Sequence, residues 1–172
     1  MTFERFLAMH RHRQVQFTRA VAKNPAADEF ANELNTHLAT VKDWINHGGG
    51  NRTEMLEAMK FFRYYFRDQY AAKVGTMLYR GQGGRIFDGS PRSYSTDPSV
   101  ATWFACSSSG RVVISRKVCR SCSDRSAFRL TLDLGKVLAK YGLHKYGFER
   151  EVVILNTRPR GSQSAVAEIA CQ

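Results

Sequence analysis

Long apolar runs are missing from this 172-residue chain. Nothing approaches the roughly 18 consecutive apolar residues that a helix needs to cross a bilayer, so no membrane association is expected. The opening stretch MTFERFLAMHRHRQ has neither the continuous apolar segment nor the small-residue cleavage site of a secretory signal, which predicts a soluble, cytoplasmic protein. Acidic residues are scarce as well: 15 Asp+Glu stand against 26 Lys+Arg, leaving a net charge of +11 and a pI near 9.9. That balance favours an anionic partner, whether nucleic acid, a nucleotide, an acidic protein face or an anionic membrane surface, without choosing among them. Cysteine is limited to Cys106, Cys119, Cys122 and Cys171. Cys119-Arg-Ser-Cys122 has the spacing of a zinc half-site or a dithiol, but a structural zinc site takes four ligands and no second pair follows. Only folding would recruit His144 or Cys106, so no metal is expected and the cysteines read as free thiols of a reducing compartment. Internal repeats, low-complexity segments, a Walker loop and a dinucleotide-binding glycine fingerprint are all lacking.

What is present suffices for a packed core: 43% of residues are hydrophobic and 12% aromatic. One domain spanning 1–172 is expected, with a helical front over 1–74 and a β-rich core over 75–172. In the front, Phe3, Phe6, Leu7 and His10 recur at helical spacing, and Asn24-Pro25 has the form of an N-cap with proline at the first helical position. Phe30, Leu34, Leu38, Val41 and Ile45 make a stripe that stops at the glycines after His47. Asn51 with Glu54 reads as a capping box opening a further helix, whose Leu56, Met59, Phe62, Tyr65 and Phe66 form an apolar face. Beyond Gly75 the pattern turns to short β-like runs: 76–80, 111–115, 128–132, 151–155 and a weaker one at 165–170. Short helices are predicted over Asp97–Cys106, with Val100, Trp103 and Phe104 on the core, and around Gly135–Tyr141. The class is α+β: N-terminal helices followed by a mostly antiparallel sheet with short helices.

Three segments carry chemistry. In Leu78-Tyr79-Arg80-Gly81-Gln82-Gly83-Gly84-Arg85 an arginine at a strand end runs into glycines, a combination suited to phosphate oxygens although a plain hairpin explains it too. Ser93-Tyr94-Ser95-Thr96-Asp97-Pro98 is a polar strand turning into a capped helix. Phe148-Glu149-Arg150-Glu151 precedes an apolar strand; strand alternation would put Glu149 and Glu151 on one side, either as a paired site or as a solvated strand end.

Taken in this order, Tyr-Arg-Gly, Ser-Thr leading into Val-Ala-x-x-Phe-Ala, and Glu-x-Glu opening a Val/Ile/Leu strand resemble the Arg-Ser-Glu class of mono-ADP-ribosyltransferases, of bacteriophage and bacterial toxin type. The His-Tyr-Glu class fits less well, since Arg80 stands where that class has histidine. The resemblance covers roughly residues 76–160 and implies a split, mostly antiparallel sheet of ADP-ribosyltransferase type and NAD as co-substrate, with no metal. It implies Arg80 as ligand of the NAD phosphate and ribose, Gly81 as the backbone holding the nicotinamide amide, and Ser95 as ligand of the nicotinamide ribose and orienter of the glutamate. Thr96 would support that strand, and Tyr94 or Phe87 would stack on nicotinamide. Glu151 would be the catalytic carboxylate and Glu149 the residue engaging the acceptor; a glutamate at that place accompanies arginine as acceptor. The family's second serine is Asp97 here, which retains the capacity to cap the following helix.

The resemblance therefore implies transfer of ADP-ribose from NAD to an arginine of a target protein, in a phage context one of the host gene-expression machinery, by a monomer. The alternatives are the same chemistry on RNA, which a +11 chain would hold through its phosphates, an NAD glycohydrolase, and a non-enzymatic nucleic-acid-binding module.

Overall fold

The computed structural model describes residues 29–47, 50–66, 69–82, 89–107, 112–118, 130–141, 150–155 and 165–168, together with Gln16 and Arg19. The chain divides into two compact units, Met1–Phe61 and Phe62–Gln172. The N-terminal helix over 3–10 and the Asn24-Pro25 cap lie outside the described residues.

In the first unit α1 (Glu29–Asn46) buries Leu34 and Val41 of the expected stripe and leaves Leu38 and Ile45 half-buried, while Trp44, outside that stripe, is buried as well. Helix α2 (Arg52–Phe66) opens on the anticipated capping box. Asn51 Oδ1 accepts from Thr53 N at 3.0 Å and Glu54 N at 3.3 Å, while Asn51 Nδ2 donates to Glu54 Oε1 at 2.9 Å. Of α2, Met55, Ala58, Met59 and Phe61 are buried within this unit. His37 of α1 stacks on Phe61 with ring centroids 4.4 Å apart.

The second unit begins in the last turn of α2. Phe62, Phe66, Tyr70 and Tyr141 form a chain of ring contacts at 5.2–6.4 Å. After it come β1 (Met77–Gln82), β2 (Pro91–Ser95), α3 (Pro98–Ser107), β3 (Val112–Lys117), β4 (Thr131–Asp133), α4 (Leu134–Lys140), β5 (Glu151–Leu155) and β6 (Ala165–Glu168). The six strands form one antiparallel sheet in the order β4-β5-β2-β1-β3-β6, so helices precede an antiparallel sheet as the composition pattern implied. Asp133 accepts from Lys136 N and starts α4, whose Leu134, Val137 and Leu138 are buried.

The sheet is unevenly joined. β1 pairs with β3 over six residues, and β2 with β5 over five, but β1 meets β2 at the single pair Tyr79↔Ser95. Two three-stranded halves of the one sheet thus share one residue pair. Among the described residues no helix is long and apolar enough to cross a membrane.

Candidate active site

Side chains alternate across a sheet, so the registers decide which residues share a face. Ser115, Tyr79, Ser95 and Glu151 are successive cross-strand partners on β3, β1, β2 and β5, a transverse row on one face. Leu78, Arg80, Tyr94, Arg116, Val152 and Ile154 belong to the other face by the same registers. The row passes through the one joint between the sheet halves.

Ser95 is buried at 6% exposure, and its hydroxyl accepts from Asp97 N at 2.9 Å. Asp97 Oδ1 in turn accepts from Ser99 N at 2.9 Å, so Asp97 caps α3. Thr96 donates its N–H to the carbonyl of Arg150 at 3.2 Å, extending the β2–β5 pairing one step beyond Ser95↔Glu151. Arg150 has φ 47°, a left-handed conformation that costs a non-glycine residue on the order of 1–2 kcal/mol and concentrates at functional sites. The backbone turns there and β5 starts at Glu151. Glu149 and Phe87 both lie outside the described residues.

Arg80 follows the joint. Continued pairing would set Gly81 opposite Ser93; instead the Arg80 guanidinium crosses the seam and Nη1 donates to Ser93 O at 2.6 Å. A side chain takes the place of a ladder bond, and the bond fixes the guanidinium between the sheet halves. Gly81 packs against α3 so closely that a Cβ would collide with Ala101 O and Ala105 N and lie 2.9 Å from Ala105 Cα. Close helix packing therefore requires glycine at 81.

Two expectations are corrected. Tyr94 is only 2% exposed and sits in the core with Ala72, Leu78, Val118, Val152 and Ile154, on the face opposite Ser95. Its ring is part of the packing and does not face a cleft where nicotinamide would stack. Burial raises the Tyr94 phenol pKa, while Arg116, Arg80 and Arg92 pull it part of the way back. In α3, Ala101 and Ala105 meet the sheet, whereas Trp103 is 63% and Phe104 39% exposed. The small residues win the inner face because Gly81 admits the helix backbone, and a large ring there would hold the helix off. A third correction concerns Cys106, which is disulfide-bonded, with its partner outside the described residues. It stands in the exposed last turn of α3, where its side chain is open to a second thiol.

Sequence reasoning passed over two residues. Tyr79 is the cross-strand partner of Ser95 and packs beside Ala101, Ala105 and Val113; its place just before Arg80 was the available signal. Arg116 is completely buried opposite Leu78, with Cζ 6.0 Å from the Tyr94 ring centroid. Alternation through Ile114 already assigned it an inward position. Comparison of the chain with protein-family models, with curated proteins and with solved structures finds no match.

Proposed function

We propose that the chain is a mono-ADP-ribosyltransferase that moves ADP-ribose from NAD to an arginine side chain of a protein. The observation that carries the reading is the Ser95↔Glu151 pair on adjacent strands beside the seam that Arg80 crosses. A buried hydroxyl and a carboxylate on one face, with a guanidinium that starts from the other face and reaches the seam beside them, suit a ligand that carries a ribose and a pyrophosphate. Heterolysis of the nicotinamide–ribose C–N bond sends the bonding pair to nicotinamide and builds positive charge at the ribose carbon. The Glu151 carboxylate stabilises that charge, as carboxylates do in glycoside hydrolysis. Ser95, held by its bond from Asp97 N, orients Glu151, and Arg80 neutralises pyrophosphate charge. A guanidinium nitrogen of the acceptor then bonds to the ribose carbon and yields its proton to Glu149. The Arg-Ser-Glu pattern quoted above supports these roles.

The test incubates the protein and its Glu151→Gln variant with labelled NAD and a bacterial extract, with and without RNase. Wild type is expected to release nicotinamide and label protein, and Glu151→Gln to lose about 100-fold or more of both. A fully active variant removes Glu151 from the mechanism. Label lost to RNase makes RNA the acceptor, and release without labelling makes the enzyme a glycohydrolase.

A further inference from the structure

Helix α3 holds no charged residue, although the chain carries a net +11. Its hydroxyls bond to its own backbone: Thr102 Oγ1 donates to Pro98 O, and Ser107 Oγ to Trp103 O, each at 2.9 Å. Beside these exposed hydroxyl residues the helix presents two large rings outward. Trp103 and Phe104 stand edge to face with centroids 4.8 Å apart, whereas the other tryptophan of the chain, Trp44, is 3% exposed. The pair stands on a seated helix. Asp97 caps its start, and its middle rests on Gly81 without room for a methyl group. Its place is next to the candidate site: α3 begins just after Ser95-Thr96-Asp97 and covers the sheet on the face that bears Ser95 and Glu151. Trp103 lies six residues beyond Asp97, or about 9 Å along the helix axis.

We infer that Trp103 and Phe104 form the docking point for the acceptor protein, a partner with an apolar pocket bordered by acidic residues. The inference rests on the transferase reading above and names how its acceptor is held. Rigid aromatic anchors in an uncharged centre, with charge supplied around it, are the usual arrangement of a protein–protein hot spot. Acidic borders on the partner complement the +11 chain. Nucleic acid suits this helix less: base stacking works beside cations that hold the phosphates, and α3 has none.

The test uses Trp103→Ser/Phe104→Ser and wild type with labelled NAD, measuring transfer to agmatine, a small guanidine acceptor without a docking surface, and to proteins of a bacterial extract. Both side chains are exposed, so the thermal midpoint should hold. The double variant is expected to keep agmatine transfer within about twofold of wild type while protein labelling falls by about tenfold or more. Protein labelling that persists, or that falls only in step with agmatine transfer, overturns the docking assignment. Labelled RNA that disappears in the double variant overturns the choice of a protein partner. Absence of nicotinamide release by the wild type with either acceptor overturns the transferase reading and the docking inference with it.

Discussion

Replacing Gly81 with alanine asks whether α3 is truly seated on β1. The added Cβ meets Ala101 O, Ala105 N and Ala105 Cα, all backbone atoms, so no rotamer change relieves it and the helix or the strand must move. Overpacking of this kind costs about 1–3 kcal/mol, and a clash with three backbone atoms belongs at the upper end, about 3 kcal/mol. For a chain of this size that corresponds to a fall of about 6–12 °C in thermal midpoint. Gly75→Ala is the control: Gly75 has φ +90° with nothing within 4 Å of a new Cβ, so only backbone strain of about 1 kcal/mol is expected. Circular dichroism melts give both numbers. A Gly81→Ala midpoint equal to wild type, or a smaller drop than Gly75→Ala, would refute the close seating of α3.

Further predictions concern the cap, a histidine and the seam. Asn51→Ala should cost about 0.5–2 kcal/mol by removing the oxygen that accepts from Thr53 and Glu54 N, read as a lower urea midpoint. Burial lowers the His37 pKa, more than the Glu57 carboxylate raises it, so below its usual value of 6.5 the unfolded chain takes up a proton that the folded one resists. Stability should therefore fall as pH drops from 6.5 toward the lowered folded value, and His37→Gln should flatten that slope in urea titrations. The raised pKa of Glu33 acts in the opposite sense at lower pH. Arg80→Lys retains the charge but not the planar fork that reaches Ser93 O. Nicotinamide release should fall by roughly tenfold or more, with the loss in KM for NAD, and an unchanged KM would remove Arg80 from pyrophosphate binding.

Elements with strong local signals were readable from sequence. Asn51 and Glu54 cap α2 in the expected way, and β5 coincides with the Glu151–Leu155 run because Val152, Val153 and Ile154 are all buried. The Ser-Thr-Asp turn into α3 was equally clear, since Asp97 caps by a local bond. What the chain did not announce depends on residues distant in sequence. Which face α3 buries is settled by Gly81, about twenty positions away, so apolar content pointed to Trp103 and Phe104 while packing selected Ala101 and Ala105. Tyr94 has an aromatic suited to stacking, but its partner Val152 draws it into the core. The Tyr79↔Ser95 joint rests on register, and Arg80's bond to Ser93 O on the pairing that stops there.

That joint has a mechanical consequence. In a continuous sheet, parting two central strands breaks a whole ladder, and the loss spreads over every residue involved. Here only one backbone pair and one arginine bond cross between the halves, and packing supplies the rest: Leu78 and Val118 on one side share a core with Tyr94, Val152 and Ile154 on the other. The line beside Ser95 and Glu151 is therefore held more by side chains than by ladder bonds, while the six-residue β1–β3 ladder and the five-residue β2–β5 ladder keep each half in register.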